Sequence, residues 1–168
     1  MCSDIICLTE TWIDPQQHFL FDERQLTMAS YGRGKGCAML SKEKPSKTST
    51  FACEKWQLLS NICRDKFQII LVYLSQACDL SEVVNCIERT LNDSIIPIII
   101  GDFNFTETND NCLLNYFRAK GLVGLVKECT HEAGRSIDNC YVPSSFSAEV
   151  TVNFVYYSDH ASILVKFK

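Results

Sequence analysis

No apolar run in this chain approaches the ~18 residues needed to span a bilayer as a helix, so no membrane segment is expected. The opening stretch MCSDIICLTE lacks a basic region followed by a long apolar one. A secretory leader is therefore not expected, and the expected location is intracellular, in nucleus or cytoplasm. Cys-x-x-Cys is absent despite ten cysteines, which removes the zinc ribbon and the thioredoxin motif. In a reducing compartment those thiols stay free. Cys7 in DIICL and Cys37 in GCAML stand where a strand needs a small apolar group, a role free cysteine fills. Positive charge is short as well: 16 Lys and Arg against 20 Asp and Glu leave a net charge of −4. That argues against a strong non-specific grip on DNA or RNA, but not against a site that recruits a cation first. Repeats and low-complexity segments are also missing.

What remains is an ordinary globular composition, 46% apolar and 21% charged, in a length that suits one domain over residues 1–168. Short runs rich in Ile, Val, Phe and Tyr read as strands: DIICL, GCAML, FQIILVYL, IIPIIIG, IDNCYV, VTVNFVYY and ASILVKF, with WQLLSNI a weaker candidate. Residues 41–50, SKEKPSKTST, read as a solvated loop. In DLSEVVNCIERTLN, Leu80, Val83, Val84, Ile87 and Leu91 share a helical face, with Asp79 and Glu82 placed for a capping box. Leu113, Leu114 and Phe117 form a second, shorter stripe that Gly121 should stop. Pro97 should start or bulge its strand. The pattern predicts an α/β layered fold of sheets covered by helices.

Several apolar runs end in polar chemistry. IIPIIIGDFN ends in Asp102 and Asn104, and IICLTETW carries Glu10. Tyr73 lies near the end of IILVYLS, and Asp138 sits in GRSIDNCYV. Asp159 and His160 precede ASILV. An ionised carboxylate is costly to bury without a partner, so these groups belong at strand ends, where layered sheets commonly build sites. Each also has a plain structural reading. Glu10 fits a solvated strand end, Asp102 a cap, Asn104 a turn residue and Asp138 an internal hydrogen bond. Tyr73 fits a core residue with its hydroxyl at the rim, and His131 a supporting position.

Taken in order, LTETW, GDFN, RSID and SDH resemble the endonuclease/exonuclease/phosphatase (DNase-I-like) superfamily. YGRGKGCAML and THEAGRSID are most similar to the apurinic-type endonuclease domains of non-LTR retrotransposons. The resemblance runs from Asp4 to Phe167. It implies a layered α/β sandwich of two packed β-sheets flanked by helices, and metal-dependent phosphodiester hydrolysis using magnesium or manganese. By resemblance Glu10 holds the metal, Asp102 orients or deprotonates the attacking water, and Asn104 bonds the phosphate or positions Asp102. His160 stabilises phosphoryl charge, with Asp159 or Asp138 holding its ring; Asp159 could also approach the metal. Tyr73 assists the phosphate. Arg33 and Lys35 form a modest phosphate-contacting rim, and DNA is the implied substrate.

The family pattern places an asparagine-bearing strand ahead of the ETW strand. Here Met1 lies three residues before Asp4, so the expected fold lacks that first strand. An edge is then left exposed, or covered by a protein partner. Two other readings follow from this and from the acidic balance: a catalytically impaired, truncated or domesticated interaction module, and a phosphatase acting on a small molecule.

Overall fold

The computed structural model describes residues 4–11, 24–31, 35–106, 108 and 110–167. Its centre is a six-stranded sheet in the order β4-β5-β6-β7-β9-β8. These strands are Lys47–Ala52 (β4), Trp56–Cys63 (β5), Phe67–Leu74 (β6), Ile96–Asp102 (β7), Leu122–Gly124 (β8) and Asp138–Pro143 (β9). A three-stranded sheet of Ile5–Leu8 (β1), Gly36–Ser41 (β3) and Gln25–Ser30 (β2) has the order β1-β3-β2. Ala148–Asn153 (β10) and Ser162–Phe167 (β11) form an antiparallel pair. The helices are Leu80–Thr90 (α1) and Cys112–Ala119 (α2).

The alternation in FQIILVYL explains the layering. Ile70, Val72 and Leu74 enter one core with Val83, Ile87, Leu113, Phe117 and Tyr141, between the large sheet and both helices. Ile69, Leu71 and Tyr73 enter the other with Met39, Cys37, Ile98 and Cys140, between the two sheets. A strand buried on both faces reads as a continuous apolar run, which is what β6 is. Each fully buried Leu, Ile or Phe contributes about 1.5–3 kcal/mol. The edge-to-face contact of Phe103 with Tyr141, ring centres 5.2 Å apart, adds about 1 kcal/mol. Both described helices cover the same face of the large sheet.

Helix α1 begins where expected, with the Asp79 carboxylate accepting from the Ser81 N–H at 2.9 Å. Glu82, expected to close a capping box, instead meets the Trp56 indole N–H at 3.5 Å. Strand β7 starts at Ile96, next to Pro97, and runs parallel to β6.

Two readings need correction. Residues 47–52 are a strand, not a loop. As an edge strand with exposed side chains, β4 carries little apolar signal, only the branched Thr48 and Thr50 and the exposed Phe51. WQLLSNI, the weaker strand candidate, is a strand, eight residues long, its buried Asn61 bonded to Thr48 (2.8 Å) and Thr27 (2.7 Å). VTVNFVYY leaves the sheet at Asn153, and its aromatic half is an exposed loop. The nine described cysteines are all unbridged. Burial pushes the Cys7 and Cys140 thiols up to about 12. No described helix is long and apolar enough to cross a membrane.

Candidate active site

Strand register builds the site. Parallel β6–β7 pairing sets Tyr73 beside Asp102, and antiparallel β7–β9 pairing sets Asp102 beside Asp138. Cross-strand partners share a face, so the three form a row at one edge of the large sheet, on the side facing the smaller sheet. Gly101 makes the close strand approach possible. Its φ is +152°, and a Cβ there would lie 1.8 Å from the Val72 carbonyl oxygen.

Asp102 is 1% exposed. Its carboxylate accepts from the Asn104 backbone N–H at 2.9 Å and from the Asn104 amide at 3.3 Å. The same amide donates to the Leu74 carbonyl at 2.7 Å. Asn104 adopts φ 52°, a left-handed turn that asparagine tolerates, and this folds it back over Asp102. Of the two roles open to Asn104, the geometry therefore fits positioning Asp102. Burial, and then the neighbouring Asp138, push the Asp102 carboxyl up to about 7; the Asn104 N–H and His160 oppose the shift.

The ring of His160 is held by Asp138, with Nδ1 at 2.9 and 3.1 Å from its two oxygens. An ionised carboxylate only accepts, so Nδ1 carries the proton and donates, leaving Nε2 outward. That hydrogen bond raises the imidazole to about 9 against the opposing effect of burial. Asp138 is itself fixed by its backbone N–H donating to Thr130 Oγ1 at 3.1 Å.

Glu10 lies at the end of the smaller sheet's β1. Its carboxylate accepts from the Tyr73 hydroxyl at 2.7 Å, and burial, then Glu10, raise the phenol's pKa. Glu10 has φ 50°, which costs a non-glycine residue of order 1 kcal/mol. The next residue, Thr11, donates its N–H to Gly36 at 3.0 Å, and a Cβ on Gly36 would stand 2.6 Å from Thr11 Oγ1. Glycine at 36 therefore lets the Glu10 turn seat against β3.

Asp159 does not hold His160. Its carboxylate lies 3.4 Å from His131 Nε2 and is mostly exposed. His131 packs edge-to-face on His160 at 4.9 Å, with Arg135 Nη2 at 3.2 Å from its Nε2. His131 thus packs against His160, a supporting position of the kind read from the sequence. Only THEAGRSID as a whole hinted at it, because one histidine in a polar loop carries no periodicity. Lys35 forms an ion pair with Glu54 at 3.5 Å, so its amine is turned to the protein's own acid. Arg33, Trp12 and His18 lie outside the described residues.

Two overlapping clusters gather acids and imidazoles, Asp102–Asp138–His160 and His131–Asp159–His160; with His160 protonated towards Asp138, their carboxylates are what they offer a cation. Within each, the ligand atoms lie within 4.8 Å of one another. The donor chemistry fits a divalent ion. Asp102 is a buried acid whose nearby acids Asp138 and Glu10 both disfavour its charge, a conflict that a cation among them relieves.

No protein-family model matches this sequence, and no curated protein sequence matches it. Solved structures do. An AP endonuclease from Archaeoglobus fulgidus superposes with a TM-score of 0.74 at 14% identity, over 98% of this chain and 88% of that one. The 3′ phosphatase NExo from Neisseria, bound to product DNA hairpin, gives 0.74 at 14% identity over 98% and 89%. The human Nocturnin catalytic domain gives 0.64 at 18% identity over 98% and 81%. At such identities these likenesses establish the fold, which is that of the endonuclease/exonuclease/phosphatase superfamily.

Proposed function

We propose that this edge of a DNase-I-like fold hydrolyses phosphodiesters with a divalent ion, and that DNA is the substrate. The observation that carries this reading is the row Tyr73–Asp102–Asp138, with Glu10 bonded to one end and His160 to the other.

With a cation relieving the conflict with Asp138, Asp102 is ionised, and its buried carboxylate is placed to orient or accept a proton from the attacking water. Asn104 holds it in register. The Asp138 carboxylate keeps His160 protonated, so Nε2–H faces outward as a donor to a phosphoryl oxygen as charge builds there. Tyr73 fixes the Glu10 carboxylate. A divalent ion bound at this edge supplies Lewis-acid polarisation of the phosphoryl group. Glu10 and Asp102 offer hard oxygens suited to magnesium or manganese, while His131, with Nδ1 accepting from the Ala133 N–H and Nε2 beside Arg135, has no free nitrogen to add. The retrotransposon-type assignment rests on YGRGKGCAML and THEAGRSID.

The test is hydrolysis of DNA substrates, single-stranded, duplex and supercoiled, with magnesium or EDTA, comparing the parent with Asp102→Ala and His160→Ala. Metal-dependent cleavage lost in both variants supports the mechanism; cleavage surviving both removes it.

A second reading, an interaction module, has one observation behind it. Among the described residues β1 pairs only with β3 and β11 only with β10. Each therefore leaves a strand edge able to accept a strand from another polypeptide. A folded parent with no turnover on any of the three substrates, and no magnesium-dependent thermal shift, favours that reading.

A further inference from the structure

Among the described residues, exposed aromatic side chains stand next to the catalytic row. Tyr156 is 100% exposed, Tyr157 74% and Phe154 56%. All three lie in the loop between β10 and β11, the loop that also carries Asp159 and His160. Tyr157 is two residues from Asp159, a span of at most about 7 Å. The rings of Tyr156 and Tyr157 meet edge to face, centres 5.2 Å apart, which leaves flat faces open. Three large aromatic side chains in water, next to a site, mark a surface that something covers.

A cleft of about 610 Å³ lined by Trp56, Tyr31, Glu54, Asp79 and Glu82 does not extend this surface, because Trp56 pairs with Leu74 and packs into the helix-side core, on the face of the sheet opposite the row. Lys35 is committed to Glu54.

A B-form duplex is gripped mainly through its phosphates, by lysines and arginines. Unpaired bases are gripped by stacking on aromatic faces, a contact that needs no charge. We propose that this edge recognises unpaired nucleotides by stacking on Tyr156 and Tyr157, so that single-stranded or frayed nucleic acid is the form that reaches Asp102. This deepens the reading of the site as a phosphodiester-cleaving centre and rests on it.

The test is fluorescence anisotropy with a labelled oligonucleotide of about a dozen nucleotides, single-stranded or annealed to its complement, in EDTA so that nothing is cut. The single strand should bind at least about tenfold tighter than the duplex. Its affinity should fall with salt at a log–log slope near about −1, because few phosphates are neutralised. Tyr156→Ala and Tyr157→Ala should each weaken it by about 5- to 100-fold, and Tyr156→Phe should retain it. These side chains are in solvent, so the variants should fold as the parent does. Equal or tighter duplex binding, a slope steeper than about −5, or indifference to both alanine variants overturns the proposal. So does binding to phosphatidylcholine vesicles with none to the oligonucleotide. Stacking with no hydrolysis in magnesium would overturn the catalytic reading alone, and hydrolysis without the single-strand preference would overturn this inference alone.

Discussion

The two ends of the six-stranded sheet each bury a polar side chain, and they treat it differently. At the far end Gln68 is 2% exposed and fully bonded. Its amide donates to Ser60 Oγ at 3.0 Å and the Thr90 carbonyl at 2.8 Å, and its oxygen accepts from the Asn92 N–H at 2.9 Å. It closes α1 onto the sheet beside a polar cleft of about 420 Å³. At the near end Asp102 is equally buried, but it faces a second acid and is pushed up to about 7. A satisfied buried amide stabilises the fold. A buried acid in conflict with its neighbours is held in place by the rest of the structure, and it marks chemistry.

The largest effect should come from breaking the near end. Asp102→Asn should slow hydrolysis by about 10²–10⁴-fold, measured as initial rate in magnesium. The same change should raise the stability of the metal-free protein by about 1–3 kcal/mol near pH 8, because it removes a charge the site disfavours. Loss of both rate and stability would mean that Asp102 is a structural residue like Gln68. Gly101→Ala, by contrast, should prevent native folding, since the Val72 backbone occupies the Cβ position; circular dichroism reports it.

The far end should behave in the opposite way. Gln68→Leu leaves the Asn92 N–H without its acceptor and the Ser60 hydroxyl and Thr90 carbonyl without their donor. It should cost about 1–3 kcal/mol in chemical unfolding and leave the rate per folded molecule unchanged.

The pH dependence sharpens the contrast. Asp102 has a folded pKa above its ordinary 3.8, so its favourable contribution is complete below that value and is lost as pH rises towards 7. His160, raised from 6.5 to about 9 by Asp138, contributes fully below 6.5 and loses that contribution as pH rises through 9. Metal-free stability should therefore fall between about pH 4 and 9; magnesium should flatten the part below pH 7, where Asp102 ionises, and Asp102→Asn should remove that same part. The smallest expected effect is at Lys35. Because its amine is paired with Glu54, Lys35→Ala should change the rate by less than about twofold, as an exposed ion pair contributes little.

The layering was legible because FQIILVYL and IIPIIIG are continuous apolar strands, buried on both faces. KTSTFA and QLTMAS escaped because edge and outer strands keep polar side chains, and LVG is too short to show alternation. At the site, the order of Glu10, Asp102, Asp138 and His160 was readable from motifs. Which acid holds His160 was not, since that is decided by β7–β9 register and by the turn that aims Asp159 at His131. The charge conflict at Asp102 was equally hidden, because Asp138 stands thirty-six residues further along the chain.

The central claim is that the row at the near end performs metal-dependent hydrolysis. The most direct measurement is the magnesium-dependent rate of phosphodiester cleavage for the parent, Asp102→Asn and Gln68→Leu, each normalised to folded protein. The account predicts a parent rate retained in Gln68→Leu and lowered at least about a hundredfold in Asp102→Asn. Equal rates in the parent and Asp102→Asn would contradict it.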